Sequence, residues 1–139
     1  MLFRSMATQV QTKRLIRDYT LSTTHAAPNN TNNTTSYLDI GSGPFNPEEI
    51  TVEIVVPAIT AHTTTNNLQI QLYTSASTTG AAITNPLIEC DVVGVGGTGS
   101  VATTFYYKLP PGTLRYVAWH MIATSDDCSA ATVTFSLLM

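Results

Sequence analysis

A chain of 139 residues with 43% hydrophobic side chains can bury one domain core, yet only 11% of its residues are charged, against roughly 25% in ordinary soluble domains. No apolar run approaches the roughly 18–20 residues that a membrane-spanning helix needs, which excludes that class and leaves Thr, Ser and Asn to supply the polarity. Thr is β-branched and suits a pleated, half-wet surface, so the composition predicts an all-β protein that touches neighbours over much of its area.

The net charge of −3 hides an asymmetry. Residues 1–17 carry Arg4, Lys13, Arg14 and Arg17 and no acid, whereas Lys108 and Arg115 are the basic residues set against every acid in the remainder. A basic arm on an acidic body is built to dock on an acidic partner surface. It is a poor nucleic-acid module, because the charges are few, no aromatic platform accompanies them and the body repels phosphate. Met1 to Val10 lacks the sustained apolar region of a secretory signal. Cys90 and Cys128 are then expected as reduced thiols.

In chain order, Thr8 to Arg17 has poor helical spacing, and Tyr19 to Thr23 has the composition of a short strand. His25 to Ser36 is a low-complexity polar loop in which Asn and Thr compete for the backbone and favour turns. Asn29, Asn32 and Asn33 stand in glycosylation sequons there, discounted without a signal. Ser36 to Ile40 is a short strand closed by Gly41-Ser42-Gly43-Pro44. Glu49 to Val56 alternates, with Ile50, Val52, Ile54 and Val56 on one face and Thr51 and Glu53 on the other. Leu68 to Thr74 alternates likewise, with Leu68, Ile70 and Leu72 inward and Gln69, Gln71 and Tyr73 outward.

Leu87 to Val93 and Val101 to Leu109 flank a glycine-rich stretch that predicts a hairpin loop. Pro110-Pro111-Gly112 then stops the strand, because proline donates no ladder hydrogen bond. Leu114 to Thr124 is apolar on both faces, and one face is expected to meet the core and the other more core or a sister subunit. Thr132 to Leu138 turns Val133, Phe135 and Leu137 inward. About eight antiparallel strands with turns every 8 to 15 residues or so predict a single-domain β-sandwich or jelly roll over residues 19–139, preceded by an extended arm at 1–18.

No catalytic constellation emerges. Gly94 to Gly99 lacks the Lys and the following helix of a phosphate loop. His25, His62 and His120 share no metal-ligand spacing, so a cupin-like metal enzyme is disfavoured and no metal or cofactor is expected. Glu48-Glu49 and Asp126-Asp127 are adjacent on turns and do not face each other across a cleft. Neither cysteine has a basic activator beside it, and no Gly-x-Ser-x-Gly elbow occurs. Tyr106 and Tyr107 point to opposite faces, so at most one belongs to an aromatic platform of a carbohydrate-binding module.

Three segments, in order, resemble one family: Tyr37-Leu38-Asp39-Ile40-Gly41, Leu68-Gln69-Ile70-Gln71-Leu72-Tyr73-Thr74-Ser75-Ala76, and Lys108-Leu109-Pro110-Pro111-Gly112-Thr113-Leu114-Arg115-Tyr116. With a strand leading to Ile54-Val55-Val56 and a closing C-terminal strand, they resemble the jelly-roll capsid cement, or decoration, proteins of tailed bacteriophages, the family typified by the cement protein of a Bordetella phage. The likeness covers about residues 19–139, and its most specific part is the Pro-Pro-Gly segment. The longer basic N-terminus and the Asn/Thr loop at 29–35 depart from the family pattern.

The resemblance implies a virion protein on the outer capsid surface. It would form a homodimer or homotrimer and bridge major capsid protein subunits, with no enzymatic activity, cofactor, nucleic acid or membrane involved. On that expectation Arg4, Lys13, Arg14 and Arg17 contact capsid, together with the polar loops 29–35, 61–67 and 94–100. Tyr116, Trp119 and Met121 then form a subunit interface. The competing expectation is a carbohydrate-binding β-sandwich carried on the virion.

Overall fold

Alternation of apolar and polar side chains dictates the architecture. Wherever β-branched and aliphatic residues recur with a period of two, one face of a strand must find an apolar partner, and two sheets pack face to face to supply it. The computed structural model describes residues 17–29, 31–35, 37–41, 49–60, 67–78, 85–94, 99–124 and 127–138. Its nine strands are β1 (Arg17–Ala26), β2 (Asn32–Thr34), β3 (Leu38–Asp39), β4 (Thr51–Val56), β5 (Asn67–Ser75), β6 (Ile88–Val93), β7 (Thr103–Lys108), β8 (Tyr116–Ala123) and β9 (Thr132–Leu138). Among the described residues there is no α-helix.

The strands form two antiparallel sheets. One has the order β1-β9-β4-β7; the other has the order β2-β8-β5-β6, with β3 also paired to β8. Successive strands change sheet at nearly every connection, and β5 and β6 are the sequence neighbours that pair directly. The all-β antiparallel sandwich read from the periodicity is therefore the fold.

The core is the space between the sheets. From the first sheet Val52, Ile54, Val56, Val133, Phe135 and Leu137 point in, all at most 2% exposed. From the second, Leu68, Ile70, Leu72, Val117, Trp119 and Met121 meet them. Trp119 stacks on Phe135 across the interlayer gap, with ring centroids 4.1 Å apart and planes 15° from parallel. Such pairs add to the burial of two large apolar surfaces.

The outward faces keep the expected direction but are drier than expected. Thr51, Glu53, Ser136 and Leu138 of the first sheet, and Gln71 and Tyr73 of the second, are all buried. They meet their hydrogen-bonding needs locally: Tyr106 Oη donates to Glu53 Oε2 at 3.1 Å, and the Ser22 and Ser136 hydroxyls bond at 2.9 Å. Thr51 Oγ1 is sealed from solvent without a partner.

Four expectations change. The glycine-rich stretch is no hairpin loop, because β6 pairs with β5 in one sheet and β7 with β4 in the other. It is a crossover, anchored by the antiparallel bridge between Ile59 and Ser100. The Pro-Pro-Gly turn is likewise a corner between sheets. Thr113 N–H donates to Pro110 O at 3.3 Å and Gly112 takes φ +90°, the left-handed position of a type II turn with proline before it. Asn32–Thr34, read as loop, forms a strand on β8. The first strand begins at Arg17, inside the span assigned to the arm, and pairs with Leu138. The helical spacing of residues 8–16 lies outside the described residues, as do the loops 61–66 and 95–98.

Candidate binding surfaces

One end of the sandwich draws together the three segments whose residues carried the family resemblance. Leu38 and Asp39 pair with Val117 and Tyr116, and Ile40 N–H donates to Arg115 O at 2.9 Å. The Arg115 guanidinium grips Asp39 with both prongs, Nε to Oδ1 at 2.8 Å and Nη2 to Oδ2 at 2.6 Å. This is the fork geometry that makes Arg–carboxylate pairs directional. Gly41 N–H adds a third donor to Oδ1 at 2.9 Å. The Arg115 fork and the Gly41 amide together hold the Asp39 carboxyl down at about 2.

Thr74 of β5 joins the same end. Its hydroxyl accepts from Leu114 N–H at 2.7 Å and donates to Tyr116 O at 3.1 Å, supplying hydrogen bonds where the incoming chain has left the ladder. The Arg115 guanidinium also lies 5.1 Å from the Tyr116 ring centre. The resulting rim carries a fixed ion pair, a half-buried Tyr116 and a 45% exposed Leu114.

A second surface is the outward face of β5, β6 and β8. Thr34, His120, Gln71 and Glu89 stand on one row across the sheet. Gln71 Nε2 donates to Glu89 Oε2 at 2.7 Å and to Gln69 Oε1 at 3.0 Å. Its Oε1 accepts from Tyr73 Oη at 2.6 Å and lies 3.3 Å from His120 Nδ1. His120 is a packed, hydrogen-bonded residue, and its ring tilts against Tyr73.

A third feature is a cleft between the β1 edge of one sheet and the β2–β3 edge of the other. Its volume is about 190 Å³, and Thr23, His25, Thr35, Tyr37, Leu38 and Trp119 line it. It exists because the chain leaves regular pairing between β2 and β3. There the Thr35 side-chain oxygen, rather than a backbone carbonyl, accepts from Trp119 N–H at 2.9 Å. His25 Nε2 and Thr23 Oγ1 bond at 2.9 Å on the opposite wall, and burial lowers the His25 pKa.

The expected site residues are placed unevenly. Arg4, Lys13 and Arg14 lie outside the described residues. Arg17 opens β1. Tyr116 lies half-buried on the outward side of β8. Trp119 and Met121 do not share that side: at 2% and 0% exposure they fill the core of their own sandwich, so neither presents a surface to a sister subunit. The apolar run Val117 to Ala123 is two-faced because its odd positions join the core while His120, at an even position, joins the outer network.

Cys90 and Cys128 are both buried and not joined in a disulfide, and burial pushes the Cys90 thiol up to about 11. Tyr106 is 60% exposed while Tyr107 packs against the core, the opposed directions expected of neighbours on a strand. Among the described residues no three His, Cys, Asp or Glu side chains gather as metal ligands. The Asp39–Arg115 pair and the cleft were not singled out from sequence; their partners are far apart along the chain, and only the quoted segments 37–41 and 108–116 marked the neighbourhood. Compared with family models, curated proteins and solved structures, the chain matches none of them.

Proposed function

We propose that this chain is a capsid cement protein, a non-enzymatic virion component that binds the outside of an assembled phage shell and bridges major capsid protein subunits. The observation that carries the reading is the convergence at one end of the sandwich. Residues 37–41, 68–76 and 108–116, the three stretches that resemble the cement family, lie apart in sequence and meet through the Asp39–Arg115 fork and the Thr74 hydroxyl. Segments that resemble one family and also build one corner support that reading better than any one of them alone.

The strand order supports the finer fold reading. Two four-strand paths, β1-β9-β4-β7 and β2-β8-β5-β6, with the chain passing back and forth between them, support a jelly-roll reading. The role suits the physics. A protein that binds the assembled shell and not its separated subunits stabilises the shell by mass action, and many copies on one lattice act multivalently. Such a protein needs a stiff body, exposed anchors and little charge. Tyr116 and Leu114 on the rim are the anchors for a homodimer or homotrimer contact, and the basic arm faces the capsid.

The reading is tested by quantitative mass spectrometry of purified virions. Copy numbers comparable to the major capsid protein are expected; absence, or a few copies per particle, overturns it. The arm is tested separately by removing residues 1–16, which leaves every described strand in the chain. The truncated protein is expected to keep its β circular-dichroism spectrum and to bind purified shells more weakly, and undiminished binding removes the arm from the mechanism.

A further inference from the structure

We propose that the cleft between the β1 edge and the β2–β3 edge binds a single neutral sugar ring, a property the capsid role does not require. The volume decides the size of the occupant. About 190 Å³ is below the roughly 300–1,000 Å³ of pockets that take drug-sized ligands, and it has room for one ring rather than an extended chain.

The lining decides its chemistry. Thr23, His25, Thr35, Tyr37, Leu38 and Trp119 include no fixed charge. Burial favours the neutral form of the one titratable base among them, His25. A charged ligand would find no counter-charge there. Two hydroxyls, a phenol, an imidazole and an indole stand instead beside the apolar Leu38, the mixture of polar groups and apolar surface that a sugar's hydroxyl edge and C–H face require.

Trp119 is 2% exposed and forms part of the cleft wall. Its backbone N–H bonds Thr35 and its ring stacks on Phe135. The walls are held in place beforehand, with Thr35 fixed to the Trp119 backbone and Thr23 to His25, so little ordering is lost on binding.

The site has a built-in reporter, because Trp119 is the only tryptophan in the chain. Methyl glycosides of glucose, galactose, mannose and N-acetylglucosamine are titrated against the full chain, following tryptophan emission and saturation-transfer NMR. At least one glycoside is expected to give a saturable emission change, with affinity falling about tenfold in Tyr37→Phe or Thr23→Val, each of which removes one hydroxyl and keeps the shape. Trp119→Phe is expected to abolish binding, and the two conservative variants keep the test decisive should that variant not fold. No saturable response to any glycoside from folded protein overturns the proposal. So does saturation by N-acetyl-phenylalanine amide without a sugar response, which makes the cleft a socket for an apolar side chain of a protein partner.

Discussion

Thr51 illustrates how much a single side chain reveals about its surroundings. It points away from the core, yet its hydroxyl is sealed from solvent and bonded to nothing. Val has the same shape without the polar atom, so Thr51→Val is expected to stabilise the fold by on the order of 1 kcal/mol, read as a higher urea midpoint at unchanged slope. Asp39 makes the opposite case. Its carboxyl is held at about 2, below the ordinary 3.8, by Arg115 and the Gly41 amide. The folded state therefore binds the proton less readily than the unfolded chain. Its contribution is present above pH 4 or so and is lost as pH falls through about 2. The stability gap between wild type and Asp39→Asn is expected to narrow over that window in denaturation at pH 7, 4 and 2, and a constant gap would contradict the assignment.

The connections between elements depend on backbone more than on side chains. Gly99 and Gly112 both adopt left-handed φ, +77° and +90°. A Cβ on Gly112 meets nothing, whereas one on Gly99 lands 2.3 Å from the Ile59 carbonyl oxygen. Gly112→Ala is expected to cost about 1 kcal/mol of conformational strain. Gly99→Ala is expected to cost more, because the Ile59–Ser100 bridge must also shift, and thermal melts of the two variants compare them. These two corners show where sequence reading ran out. The alternations at Ile50–Val56, Leu68–Tyr73 and Val133–Leu137 were legible because a period of two has one structural meaning. Whether Gly-rich or Pro-Pro-Gly segments join strands within a sheet or between sheets was not, since the turn chemistry is the same in both. Nor was β2: Asn32–Thr34 has no apolar alternation, and its pairing is imposed by the β8 edge. The cleft combines β1, β2–β3 and β8, a juxtaposition no local window contains.

At the scale of the molecule, almost every ladder joins strands far apart in the chain; the first strand pairs with the last, and β4 is flanked by β7 and β9. Loops must close before such contacts reward them, so folding is slow for the size of the chain. Stopped-flow refolding is expected to take milliseconds to seconds, and a microsecond phase accounting for the full amplitude would be inconsistent with this topology. Slow, cooperative closure suits the stiff block that the proposed capsid role calls for. It also means that removing β9 cannot be a local lesion, because β1 and β4 lose their common neighbour together.

The pairing of Arg17 with Leu138 has a topological consequence. The entry to the first strand and the exit of the last lie side by side, so the fold is close to a closed loop. A permuted chain, spliced across that junction by a short linker and reopened in the glycine-rich crossover between β6 and β7, would retain every strand pairing. Its two free ends would emerge at the crossover, and any cargo fused there would point in a new direction from an unaltered body.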